Sequence, residues 1–216
     1  TQYVDCFYVL DGSEDYKTAE DICMGSRKCA GYGRDVECPY PWPPCDGWRQ
    51  FLYARATEDN GFDNWFLLLH GDELWLNDPD EARLRVPDAD GFEFRLPFAF
   101  PRSWNHALPA YEQLREFALP GWPEFRLFLG GEDVYYHPQQ HFNTRPQGLH
   151  NIVRMDDMPI LHFPYRSPES QRLRASKAAD WSPENYAGAT TWDDQRLASF
   201  IATTEHYEYA GIVSGL

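Results

Sequence analysis

Positive charge is scarce in this chain: 19 Lys and Arg face 34 Asp and Glu, a formal net charge of −15 over 216 residues. Such a surface repels phosphate backbones and anionic bilayers, so nucleic acid is a disfavoured partner. No apolar run approaches the roughly 20 residues that a membrane-spanning helix requires. The amino-terminal stretch has no basic segment followed by an apolar core. A soluble, cytoplasmic protein without membrane insertion is the expectation. Cysteine is also sparse: Cys6, Cys23, Cys29, Cys38 and Cys45, all near the amino-terminal end. Their odd number and irregular spacing match no zinc ribbon or CxxC pair and go with reduced thiols. Serine-hydrolase chemistry lacks its Gly-x-Ser-x-Gly elbow, and internal repeats and low-complexity tracts are absent.

What is plentiful is apolar and aromatic material, at 43% and 16% of the chain. That is enough for one globular domain over residues 1–216, with aromatic side chains to spare for stacking on sugar or base rings.

Phe7-Tyr8-Val9-Leu10 predicts a strand running into Asp11-Gly12-Ser13-Glu14-Asp15, followed by a helix from about residue 16 to 30. Residues 35–45 begin as a short strand and end in a proline-fixed loop. A helix over 46–56 contains Trp48-Arg49-Gln50. The five-residue run Trp65-Phe66-Leu67-Leu68-Leu69 does not alternate, which predicts a central parallel strand buried on both faces. It runs into His70-Gly71-Asp72-Glu73. Ligands of open α/β sheets bind beyond the carboxyl ends of strands, and a carboxylate pair there can hold a hard divalent cation that carries a diphosphate. For an isolated Asp-Glu a solvated strand-to-loop junction is the ordinary reading; the second acidic strand end at Asp11 is what raises the functional one.

Further along, residues 79–85 suit a short helix ended by Pro87. Residues 92–100 alternate as a half-exposed strand that Pro97 places at an edge or bulge. Residues 108–119 are ambiguous. Residues 124–129 and 133–136 predict two strands joined at Gly130-Gly131, and 160–163 a short strand. Helices are expected from Ser167 to about residue 179 and over 193–203, and a loose tail over 205–216.

The ordered set of Asp-Gly-Ser-x-Asp after a strand, the Trp-Arg-Gln helix and Gly-Asp-Glu after an apolar run resembles the nucleotide-sugar half of glycosyltransferase family two. His162-Phe163-Pro164-Tyr165-Arg166-Ser167 is similar to a late His-Phe-Pro-x-Arg-Ser run in a bacterial and viral branch of that family. The resemblance covers about residues 3 to 180 and implies a nucleotide-sugar and metal half over 1–78, an acceptor half over 79–180, and a carboxy-terminal helix and tail over 181–216. It implies an α/β GT-A fold, with a mixed, mostly parallel sheet flanked by helices and without the family's usual first strand.

The resemblance also implies a divalent metal, Mn²⁺ or Mg²⁺, a nucleotide-diphospho-sugar donor (a UDP-sugar favoured) and an unidentified hydroxyl acceptor. Asp72 becomes the metal ligand that bridges the diphosphate, with His162 and His150 as candidates for a further ligand. Asp11 is expected at the nucleobase, with Asp15 nearby, although an acid at a helix start is favoured by the dipole alone. Arg49 and Arg166 are expected at the diphosphate; for Arg49, an exposed pair with Asp46 or Glu58 is the competing reading. His70 stands where the family usually has an aspartate near the ribose. It reads either as a neutral hydrogen-bonding group there or as a buried structural histidine.

The general base of an inverting displacement must be a carboxylate, with Asp157, Asp133 and Glu73 as candidates and Glu132 and Asp156 beside them. All of these loop acids also have an ordinary solvated reading. Glu73 can instead ligate the metal or buttress its loop. Two alternatives keep the fold: a degenerate module that binds nucleotide or glycan without turnover, and a nucleotidyltransferase acting on sugar phosphates. The latter would lack the glycine-rich, lysine-bearing phosphate loop such enzymes tend to use.

Overall fold

The computed structural model describes residues 4–11, 16–34, 38–39, 45–75, 77–100, 105, 107, 116–119, 123–138, 145–163 and 205–207. The fold is mixed α/β. Its elements in chain order are β1 (Phe7–Asp11), α1 (Tyr16–Met24), β2 (Cys29–Arg34), α2 (Cys45–Asn60), β3 (Trp65–Leu67), β4 (Glu73–Trp75), α3 (Pro79–Arg85), β5 (Gly91–Arg95), β6 (Phe98–Phe100), β7 (Glu116–Leu119), β8 (Pro123–Leu129), β9 (Ile152–Met155), β10 (Ile160–His162) and β11 (Glu205–Tyr207). By contact the chain divides into two compact units interleaved in sequence. One comprises Thr1–Leu68, Asp78–Glu93 and Glu124–Arg154; the other comprises Leu69–Asn77, Phe94–Pro123 and Met155–Leu216. Each unit therefore draws on both sides of residue 78. No helix among the described residues is long and apolar enough to cross a membrane.

In the first unit, β1 and β2 form a two-stranded parallel sheet. Sequence predicts that helix α1 continues to residue 30, but it stops at Met24, where the Gly25 N–H closes on the Asp21 carbonyl at 3.0 Å. Residues 29–34 are strand because they pair with β1. Gly31 lies opposite Tyr8, and a Cβ there would stand 2.9 Å from the Tyr8 ring. A side chain at that position would push the ring away, so the glycine that weakens the strand pattern in sequence is what lets the two strands meet.

Helix α2 buries Asp46, Arg49, Tyr53, Ala56 and Thr57, one face at helical spacing. It ends at Gly61, whose φ of 82° and N–H bond to the Thr57 carbonyl at 2.8 Å close the last turn. The core beneath it gathers Tyr53, Phe125, Phe128, Val134 and Tyr136, with Phe66, Leu68, Leu149 and Ile152 packed around them. Tyr53 meets Phe66 edge-on at 4.9 Å.

The four-stranded sheet has the order β3-β8-β5-β9. This corrects the expectation for residues 65–69: β3 is three residues long, half-buried, at the edge, and antiparallel to β8. An unbroken apolar run cannot distinguish a central strand from an edge strand whose outer face is covered otherwise. Trp65 is such a case, lying between the Arg83 guanidinium, 5.0 Å from the indole centroid, and the Phe92 ring at 5.8 Å. Helix α3 forms as expected. Asp78 caps it by accepting the Asp80 N–H at 3.0 Å, Asp80 and Glu81 occupy its first turn, and Arg83 and Arg85 its last. Residues 133–136, predicted as a strand, are a turn with one isolated bridge, Tyr135 to Gln147.

In the second unit, the five-stranded sheet has the order β11-β7-β6-β10-β4. Strand β10 is antiparallel to β4 and parallel to β6, while β7 runs antiparallel to both β6 and β11. The expected single, mostly parallel sheet is thus replaced among the described residues by three sheets in which antiparallel pairings are common. The predicted strand over 92–100 is interrupted at Leu96-Pro97, because Pro97 has no N–H to give the ladder. Its carbonyl accepts the His162 N–H at 3.0 Å. Residues 205–207, expected in a loose tail, pair with β7. The expected short strand at 35–37 and the expected helices over 167–179 and 193–203 lie outside the described residues.

Candidate functional site

The second unit brings two of the candidate side chains, Glu73 and His162, onto one strand pair, and two more, His70 and Asp72, into the turn that enters it. His70 to Glu73 form a turn, closed by the Glu73 N–H on the His70 carbonyl at 3.1 Å, and the chain then enters β4. Asp72 and Glu73 therefore stand at the amino end of β4, not merely at the exit of the apolar run. Across the ladder Glu73 pairs with His162, Leu74 with Leu161 and Trp75 with Ile160, and the Phe163 N–H donates to the Asp72 carbonyl at 2.7 Å. That register brings His162 Nε2 to 3.5 Å from Asp72 Oδ2, with both side chains largely covered.

Glu73 is spoken for. Its side chain is 0% exposed, it accepts the His70 N–H at 3.1 Å, and its other oxygen faces His70 Nδ1 at 3.3 Å. A carboxylate this deep, bonded back to its own turn, braces the loop and is poorly placed to collect a proton from an incoming hydroxyl. His70 itself is exposed, which removes the buried structural reading of it.

The other candidates fall elsewhere. Asp11 lies in the first unit at the carboxyl end of β1, as expected, but it is buried and accepts the Tyr32 hydroxyl at 2.8 Å. Partial burial, and then that hydrogen bond, push the Tyr32 phenol from 10.0 up to about 12. Arg49 is buried as well, paired with buried Asp46 at 2.5 Å. It is thus the internal pair of α2 and not an exposed one. His150 is exposed in the first unit, where its backbone N–H donates to Asp90 Oδ2 at 2.7 Å, while Asp72 and His162 belong to the second. Asp133 is exposed on the first unit's turn and Asp157 on the second unit's turn between β9 and β10. Asp156, beside it, pairs with Arg95 at 2.8 Å. Asp15 and Arg166 lie outside the described residues.

Among the described residues no group of three or more His, Cys, Asp and Glu side chains is arranged to hold a metal ion. Asp72 and His162 supply one oxygen and one nitrogen donor. A cation held by that pair would complete its shell with water and substrate phosphate, and the imidazole nitrogen suits a transition ion such as Mn²⁺ better than Mg²⁺, which prefers oxygen ligands. Sequence reasoning passed over Trp75. It sits two residues after Glu73, hence on the same face of β4, and packs edge-on against Phe94 at 4.5 Å. Its buried indole N–H has no acceptor among the described residues. Period-two spacing from Glu73 was the available signal.

None of the family models, curated proteins or solved structures compared with the chain matches it.

Proposed function

We propose that this chain is a divalent-metal-dependent glycosyltransferase, moving a sugar with inversion from a nucleotide-diphospho-sugar, a UDP-sugar favoured, to a hydroxyl acceptor. The approach of His162 to Asp72 carries this reading: two motifs far apart in sequence, each chosen for its resemblance to one family, meet on adjacent strands. A bound Mn²⁺ or Mg²⁺ would neutralise the departing diphosphate. Asp72 and His162 are the side chains that would hold it, and Glu73 keeps the His70–Glu73 turn in place. Asp157 and Asp133, both exposed, are the acids proposed for the general base. Incubation with a panel of UDP- and other nucleotide-sugars plus Mn²⁺, read by mass spectrometry, tests the reading. Release of the nucleoside diphosphate with the sugar on water or a hydroxyl supports it, whereas nucleotidyl transfer or no turnover contradicts it.

A second reading, a binding module without turnover, is favoured by one observation. Asp11 and Arg49, both expected to meet the donor, are committed to Tyr32 and Asp46 inside the fold. Calorimetric binding of UDP with no turnover of any donor would select it.

A further inference from the structure

Among the described residues, the large aromatic side chains left exposed are Phe62 and Tyr135, at 40% and 44%, and both line the same depression. It lies within the first unit and has a volume of about 420 Å³. Its walls are α2 and the turn that follows β8, and they are tied together. The Tyr53 hydroxyl lies 3.2 Å from both the N–H and the carbonyl of Gly131, and the Tyr136 N–H donates to Gln50 Oε1 at 2.7 Å. That bond uses the Gln50 side-chain oxygen and leaves its amide NH₂ as a donor. The other aromatic rings of this region, Tyr53, Phe66, Phe128 and Tyr136, are packed in the core below.

The lining includes two carboxylates, Glu58 and Glu132, and no Lys, Arg or His. Glu58 is held by Arg55 at 3.3 Å, and Glu132 has no partner among the described residues. A phosphate-bearing ligand would meet the unpaired negative charge of Glu132 here. A sugar ring would not. Its apolar C–H face fits against an aromatic face, its hydroxyls donate to carboxylates in strong charge-assisted bonds, and an amide can donate back.

We propose that this depression is a saccharide subsite, taking a neutral pyranose against Tyr135 and Phe62 with its hydroxyls bonded to Glu132 and Gln50. This binding stands apart from the glycosyltransferase reading and does not rest on it.

Saturation-transfer NMR on the full chain, with maltotriose, cellotriose and chitotriose as probes, tests the proposal. Transfer to ring protons is expected, weakened about tenfold in affinity by Tyr135→Ala and similarly by Phe62→Ala, and reduced by Glu132→Gln. Asp72→Ala should leave it unchanged, so loss of the transferase reading and loss of this one are separable. Melting curves of the exposed-site variants should match the unsubstituted chain. Three results would overturn the proposal: no transfer to any of the three sugars, full binding in both Tyr135→Ala and Glu132→Gln, or displacement of the sugars by tetraethylammonium at lower concentration than by one another. The last would make the depression a cation site.

Discussion

His162 Nε2 lies 3.5 Å from Asp72 Oδ2 because Glu73 and His162 are cross-strand partners at the ends of β4 and β10. If this pair holds a cation, removing either donor should be felt first in metal-dependent binding. His162→Ala is expected to weaken Mn²⁺-dependent UDP binding by about 10- to 100-fold, a loss typical of damaged metal sites. Titration calorimetry with and without Mn²⁺ checks this; equal affinity in the variant would remove His162 from the site.

Glu73 has a different expected signature. Glu73→Ala leaves the His70 N–H without its carboxylate and should cost about 1–3 kcal/mol of stability in urea unfolding. Glu73→Gln keeps an acceptor for that N–H and should recover much of the loss. If Glu73 were instead the catalytic base, the glutamine variant would be stable and inactive.

Much of the first unit is legible in sequence because its signals are local. Phe7–Leu10 is a strand pattern, residues 79–85 suit a short helix ended by Pro87, and residues 46–56 read as a helix. What failed depended on partners. β2 looks like the end of a helix until Gly31 is seen to admit the Tyr8 ring. β3 looks central until Arg83 and Phe92 are seen covering Trp65. The candidate site divides the same way. Asp72 and His162 were each marked by motif, but their meeting depends on the β4–β10 register, which no periodicity encodes. The engagement of Asp11 by Tyr32 was equally hidden, and the Arg49–Asp46 pair, weighed from sequence as an exposed one, gave no sign there of its burial.

Alkaline pH should expose the Tyr32–Asp11 contact. The folded chain retains the Tyr32 proton between the ordinary value of 10.0 and about 12, where the unfolded chain releases it. Its contribution to stability is therefore full below that window and is lost as pH rises through it. Tyr32→Phe should flatten that part of the stability–pH curve, measured by urea unfolding at a series of pH values. An unchanged curve would show that the hydroxyl is not held by Asp11 in solution.

Gly148 has a φ of 87°, and a Cβ there would run into the Asp133 carbonyl. Gly148→Ala should destabilise the fold by at least about 1–2 kcal/mol from the left-handed backbone alone. Thermal or urea unfolding provides the check, and a neutral effect would mean that the turn carrying Asp133 moves freely.

The proposed function rests on a cation-assisted grip on a nucleoside diphosphate by Asp72 and His162. A thermal-shift titration of UDP, with and without Mn²⁺, on the unsubstituted chain and on Asp72→Ala tests that grip, because a ligand bound only by the folded state raises the melting temperature. A rise with UDP that requires Mn²⁺ and vanishes in Asp72→Ala is the expected result. A rise that persists in Asp72→Ala, or no rise under any condition, would contradict it.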